Sequence, residues 1–234
     1  MHVLFLLNMN KRRRENSCFV LLSVYAMMLP CCKCGKSLDI SPSCILLDKY
    51  LRRCTRNEMS KMIKLESERL IIREIVTDDL PAILPVLVSD PEHLRRQEGS
   101  EGEPGRYDLE RWQRDWAIGQ MMPGRHMLGC YVKSSREAIG YAEFMEEMDD
   151  GLPWFGISLI HMKHRRQGYG TEAFQRLATM FRSEYQWPVI RAWVAIENEV
   201  GYAFAQHIGL RIAEKKIVRL AGGMQEIAQL EYTL

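Results

Sequence analysis

Residues 164 to 171, His164-Arg165-Arg166-Gln167-Gly168-Tyr169-Gly170-Thr171, have the types and spacing for phosphate chemistry. They stand between an apolar run, Trp154 to Ile160, and an amphipathic one, Glu172 to Tyr185. A strand that passes through a basic glycine turn into a helix points backbone N–H groups at the helix start, where the macrodipole favours negative charge. Gly168 and Gly170 leave no side chain between those amides and a ligand and can take positive φ, so consecutive N–H groups converge on one oxyanion. Arg165 and Arg166 add charge-assisted donors at the rim. Spacing excludes two other phosphate loops. A Walker loop needs a lysine directly before its Ser or Thr, where Gly170 precedes Thr171, and a dinucleotide fingerprint needs a third glycine where Ala173 stands.

Elements on both sides must hold this turn. After it, Ala173, Leu177, Ala178 and Phe181 make a helical stripe, Pro188 leads into a strand from Val189 to Ile196, and Glu197-Asn198-Glu199 opens a helix to about His207. Gly209 stops that helix, and Ile212 to Leu220 and Glu226 to Tyr232 read as the last strands. Before the turn, His126 to Val132 and Ala138 to Met145 are strands joined at Ser134-Ser135-Arg136-Glu137, and Asp149-Asp150-Gly151 closes a hairpin into Trp154 to Ile160. Further upstream, Ile63 to Ile75 reads as one strand. Thr77-Asp78-Asp79 caps a helix carrying Leu80, Ile83, Leu84, Leu87 and Val88, expected to end by Pro91. A polar loop from Gly99 to Gly105 precedes a second helix with Leu109, Trp112, Trp116 and Ile118, in which the two tryptophans read as core. No internal repeat is visible.

Three stretches now resemble one family. Arg-x-x-Gly-x-Gly at Arg165 to Gly170 resembles the acetyl-CoA pyrophosphate loop of the GNAT superfamily of N-acetyltransferases. Glu68-Arg69-Leu70-Ile71-Ile72-Arg73 followed by Asp78-Asp79-Leu80 resembles the opening of its ribosomal-protein N-terminal acetyltransferase (Rim-type) branch. Asn198 followed by Gly209-Leu210 resembles the family's Asn-x-x-Ser segment ending in Gly-Phe, with Gly201 in place of the serine and Leu210 in place of the phenylalanine. The resemblance spans residues 63 to 234. It implies an α/β (α+β) fold with a mixed, mostly antiparallel central sheet of about seven strands, flanked by helices and splayed at the centre to hold acetyl-CoA. It also implies an acetyl-CoA-dependent N-acetyltransferase acting on a primary amine by direct attack in a ternary complex, with no metal.

An amine attacking a thioester needs both reactants held together, a lone pair on nitrogen, and stabilisation of the developing oxyanion and thiolate. The resemblance places Arg165, Arg166, Gly168, Gly170 and Thr171 at the phosphates, backbone groups of Ile160 and Met162 along the pantetheine arm, and Asn198 beside the cofactor. The amide near Ile160 would face the thioester oxygen. Many members carry a proton-donating tyrosine four residues before the Gly-Phe pair; Ala205 stands there, and Tyr202, on the same helical face, is the substitute candidate. For the base, Glu143 is the first choice, with Ser158 and His161 as options, His161 because its reference pKa is near neutral. Glu143, Glu146, Glu147, Asp149 and Asp150 form an acidic stretch that would attract a cationic amine such as a polyamine, an aminoglycoside or a protein N terminus. With Ala205 at the donor position, a catalytically silent acyl-CoA-binding module is the alternative reading.

The 234 residues hold 47% hydrophobic and 26% charged residues with a formal charge of +2, which indicates a globular chain and gives no global reason to expect a nucleic-acid or membrane partner. A small-molecule or peptide amine is the expected partner, a cytoplasmic location the expected setting, and a homodimer one assembly open to the chain. Six of the seven cysteines (Cys18, Cys31, Cys32, Cys34, Cys44 and Cys54) crowd the first quarter, and residues 1 to 58 show no sustained period. Their apolar run, Cys18 to Leu29, is shorter than the ~20 residues of a membrane helix. Lipid attachment at Cys31 or Cys32, a zinc site from Cys31, Cys34, Cys44 and Cys54, and nucleic-acid binding through Lys11 to Arg14 are the sharp readings of this segment. The broader expectation is a disordered or non-native leader, with the true start at Met59 or Met62.

Overall fold

A computed structural model describes residues 62–99, 105–148, 151–220 and 223–234. The leader, its cysteines, the Met59 start and Asp149-Asp150 lie outside those residues. The chain opens with a hairpin, β1 (Lys64–Glu66) against β2 (Leu70–Glu74), in which Leu65 faces Ile72. The expected single strand is broken at Ser67, whose hydroxyl accepts the Leu70 N–H at 3.1 Å while its own N–H bonds Leu70 O at 3.0 Å. One sequence strand thus becomes two, and the described sheet has eight strands instead of about seven, in the order β1-β2-β3-β4-β5-β6-β8-β7.

Three helices follow where two were expected: α1 (Leu80–Val88), α2 (Pro91–Glu98) and α3 (Leu109–Gln120). Pro91 starts a helix as well as ending the previous one, because at the first helical position its missing N–H costs no hydrogen bond. Asp90 caps α2 by accepting the His93 N–H at 2.9 Å, and Asp108 caps α3 by accepting the Arg111 N–H at 2.9 Å. Thr77–Asp79 forms a 3₁₀ turn, and Asp79 turns its carboxylate back onto the Arg73 guanidinium in two bonds of 2.6 Å.

The strands before the turn are β3 (Arg125–Val132), β4 (Ala138–Met145) and β5 (Trp154–Ile160), with β2–β3, β3–β4 and β4–β5 each paired antiparallel. On one sheet face, α1 and α3 cover Met127, Tyr131, Tyr141 and Leu159; Trp112 is fully buried there, edge-on to Tyr141 at 5.6 Å. On the other, α4 (Tyr169–Ser183) buries the expected Ala173, Leu177, Ala178 and Phe181, with Phe174 and Met180 between them. Each fully buried aromatic of this kind contributes about 2–3 kcal/mol from removal of apolar surface from water.

The chain ends with β6 (Val189–Ala195), α5 (Glu199–His207), β7 (Arg211–Leu220) and β8 (Gly223–Thr233). β5 and β6 run parallel and share a single registered pair, Trp154 with Arg191. Beyond it each strand stays with its other neighbour, β5 with β4 to the pair Gly140 and Ile160, β6 with β8 to Ala195 and Ile227. The two strands therefore part toward their carboxyl ends. Trp154 and Trp193, edge to face at 6.2 Å, close the narrow end of the gap. No helix among the described residues is long and apolar enough to cross a membrane.

Candidate active site

The glycine turn sits at the wide end of that gap. The His161 N–H bonds Ile139 O at 2.8 Å, and strand alternation then points the N–H and C=O of Ile160 and Ser158 to the opposite edge, toward β6. Met162–His164 makes one 3₁₀ turn, and the chain enters α4 with Arg166 at φ 63° and Gly168, the N-cap, at φ 83°. The amides of Tyr169, Gly170 and Thr171 belong to the first turn of α4, where backbone N–H groups have no intrahelical partner. A Cβ on Gly170 would lie 3.2 Å from two ring carbons of Phe204 and 3.6 Å from Ile160 Cγ1. Gly170 thus lets the start of α4, the end of β5 and the middle of α5 approach one another. Phe204, which shapes this junction, carries no motif by which the sequence would single it out.

The residues expected at the phosphates divide. Arg166 is exposed at the rim, and Thr171 is half-buried. Arg165 turns inward: its Nε donates to Ile160 O at 3.0 Å and its Nη2 to Asp90 Oδ2 at 2.8 Å. Burial opposes the charge on Asp90, but the His93 N–H and the Arg165 guanidinium hold its carboxyl below the ordinary range. Arg165 is therefore a brace that takes up the Ile160 carbonyl and leaves that residue's N–H facing the gap. The Met162 N–H donates to Ser89 Oγ at 3.3 Å, and the Met162 side chain is exposed. Asn198 caps α5, its Oδ1 accepting the Gly201 N–H at 3.1 Å and an Arg96 Nη2–H at 3.5 Å.

A latch fastens the turn to the first hairpin. Glu172, in the first turns of α4, accepts the Ser67 hydroxyl and the Arg69 N–H on Oε1 and Arg69 Nε on Oε2, each at 2.7 Å. Arg69 Nη1 donates to Gln167 O at 3.0 Å, and its guanidinium lies 4.3 Å from the centre of the Tyr169 ring. Burial works against the Glu172 charge, yet these donors keep its carboxyl below the usual value. Two of the stretches that carried the family resemblance are thus in direct contact. Their sequence separation of 103 residues concealed it.

The acid–base candidates lie in unlike surroundings. Glu143 is fully buried on the α3 side of β4, and its Oε2 accepts Arg125 Nη2 at 2.8 Å and the Tyr141 hydroxyl at 2.6 Å. Glu146 Oε1 is 3.0 Å from His126 Nε2, while Glu74 Oε1 is 2.7 Å from His126 Nδ1. Burial disfavours the His126 charge, but hydrogen bonds to Glu146 and Glu74 outweigh it and raise the pKa to about 9. Glu143 and Glu146 of the acidic stretch are therefore turned to the internal cations Arg125 and His126. His161 is partly exposed at the end of β5, its Nδ1 accepting the Lys163 N–H at 3.2 Å; burial, then Lys163 and His164, lower its pKa. Ser158 is part-buried on β5. Tyr202 packs against the α4-side core, and Ala205 beside it is buried. No group of three or more His, Cys, Asp or Glu side chains among the described residues is arranged to hold a metal ion.

A family model described as an acetyltransferase (GNAT) domain matches residues 69–211. No curated protein sequence gives a significant match. Among solved structures, a GNAT-family acetyltransferase from Bacillus anthracis superposes with a TM-score of 0.60 at 18% identity, over 73% of this chain and 98% of its own. A ribosomal-protein-S5-alanine acetyltransferase from Vibrio fischeri gives 0.59 at 14% identity, over 73% and 96%. A spermidine N-acetyltransferase from Vibrio cholerae, solved with CoA and spermine, gives 0.56 at 14% identity, over 70% and 95%. At such identities these likenesses speak for the fold, which is the one described above. Matched by the family model over more than half its length, the chain belongs to the GNAT acetyltransferase family.

Proposed function

We propose that this protein transfers the acetyl group of acetyl-CoA to a primary amine by direct attack in a ternary complex. The carrying observation is the gap between β5 and β6 with the first turn of α4 at its wide end. In this reading the amides from Gly168 to Thr171, with Arg166, bind the diphosphate. The Ile160 N–H faces the thioester oxygen, Met162 and Asn198 flank the pantetheine arm, and Arg165 stiffens the strand end. The amine lone pair attacks the thioester carbonyl carbon, the C–S bond breaks with its electron pair going to sulfur, and the amine proton leaves to a base.

For that base we favour His161 over Glu143. Burial and the nearby Lys163 and His164 lower its pKa and so favour the neutral imidazole, and among the described residues only a long bond from the Lys163 N–H engages Nδ1. Glu143 is already the counter-ion of a buried arginine. Tyr202 is the proposed donor to the departing thiolate. Acceptors acetylated by the structural neighbours include spermidine and a ribosomal protein, and a cationic amine, small or peptidic, is the class proposed for this chain; a cytoplasmic setting goes with it.

The test is a transfer screen read by mass spectrometry, with acetyl-CoA and a panel of polyamines, aminoglycosides and peptides bearing free N termini. One acetylated amine with an equivalent of free CoA thiol is expected. Coenzyme binding without thiol release across the panel would leave a silent binding module instead.

A further inference from the structure

Arg69 lies on the bend between β1 and β2, far from the glycine turn in sequence, yet it reaches the mouth of that turn. Two of its three guanidinium nitrogens are committed, Nε to Glu172 and Nη1 to Gln167 O. The third, Nη2, donates to none of the described residues. It stands 3.3 Å from where a Cβ on Gly168 would be, and apart from the chain neighbours of Gly168 no other heavy atom of the described residues lies within 4 Å of that point. The plane is steadied by the Tyr169 ring, and the side chain is 41% exposed, so solutes can reach it.

The charges make the placement informative. A cation beside the amino end of a helix is disfavoured by the macrodipole and needs an anion to offset it. Glu172 is the carboxylate at hand, and its two oxygens are already taken by Ser67 Oγ–H, the Arg69 N–H and Arg69 Nε–H. A guanidinium with an open edge next to convergent helix-start amides suits a phosphoryl oxygen, for which planar paired donors are well matched.

We propose that Arg69 is a ligand of the coenzyme's diphosphate, donating from Nη2 to an oxygen held over Gly168; this rests on the acetyl-CoA reading above. Arg69 then makes the site favour acyl groups carried on a diphosphate over the same acyl group on bare pantetheine. It also joins the first hairpin to coenzyme binding.

Calorimetry on the full chain tests it with CoA, dephospho-CoA (which lacks the 3′-phosphate) and four proteins: wild type, Arg69→Gln, Arg69→Lys and Glu172→Gln, each checked for a cooperative thermal transition. Arg69→Gln is expected to weaken CoA and dephospho-CoA equally, by about tenfold or more, as loss of a charge-assisted bond does. Arg69→Lys should recover part of that loss, and the KM for acetyl-pantetheine should not move. Glu172→Gln breaks the latch but frees the guanidinium, so it should bind CoA as well as wild type or more tightly. A purely structural Arg69 predicts the reverse, with Glu172→Gln losing as much as Arg69→Gln, and that result overturns the proposal. A loss seen with CoA and absent with dephospho-CoA overturns the diphosphate assignment in favour of the 3′-phosphate. Wild type that fails to bind CoA removes the coenzyme reading itself, whereas wild type and Arg69→Gln binding alike removes Arg69 alone.

Discussion

Gly168 combines a left-handed backbone, φ 83°, with the Arg69 guanidinium immediately alongside. Any L residue is strained there, and Gly168→Asp in addition sets a carboxylate where the ligand's phosphate would pair with the guanidinium. That substitution is expected to abolish acetyl-CoA binding by calorimetry while the far-ultraviolet circular dichroism of the fold persists; retained affinity would remove the turn from the site. Glu143 makes the contrasting case. Its carboxylate, accepting from Arg125 and Tyr141 in the α3-side interior, reads as a structural counter-ion. Breaking one half of a buried pair costs about 3–5 kcal/mol. Glu143→Gln should therefore lower unfolding stability in urea by roughly that amount, whereas His161→Ala should cut kcat about 10²-fold or more with stability nearly unchanged. A stable Glu143→Gln protein without activity would return the base role to Glu143.

At the scale of elements, the splay of β5 from β6 is held by what lies on either side of it. Arg165 braces the end of β5 to Asp90 at the start of α2, and Arg96 at the other end of α2 reaches Asn198 where β6 gives way to α5. Helix α2 thus touches both lips of the gap. On the far side of the sheet, His126 ties β3 to Glu74 of β2 and to Glu146 just after β4, stacked on Phe144 at 4.5 Å. Its folded pKa of about 9 lies above the ordinary 6.5, so its charge contributes stability that is complete below about pH 6.5 and is lost as pH rises through about 9. The contribution is about 3 kcal/mol from the size of that shift. Unfolding free energy measured from pH 6 to 10 should fall in wild type, and His126→Gln, which cannot titrate there, should be less stable at pH 6 and flatter across the range. Parallel slopes would remove His126 as the cause.

Over the whole molecule, Met62–Leu234 form one unit with a core on each face of the sheet, and every residue assigned to the site belongs to it. A chain shortened to residues 59–234 is accordingly expected to match the full chain in melting temperature and in CoA affinity. Loss of either would make the first segment part of the working domain. The sheet also explains how distant stretches become one site: β1 and β2 at one end and β6 with α5 beyond the centre meet α4, which crosses between them.

The order of elements from β3 onward, the glycine turn, the helical stripe of α4 and the buried Trp112 were all legible in the chain, because each depends on spacing within one element, and local periodicity carries that information. The hairpin break at Ser67 and the start of α2 at Pro91 were misread for the same local reason. A serine hydroxyl accepting the amide N–H three residues on, and a proline beginning a helix, each resemble what they replace. Where side chains point was decided only in three dimensions. Arg165 turns to Asp90, Glu143 to Arg125, Arg69 to Glu172, and Phe204 comes against Gly170. Such choices are made between charges and rings brought together by strand register and helix packing, and the spacing of residues along one chain does not record them.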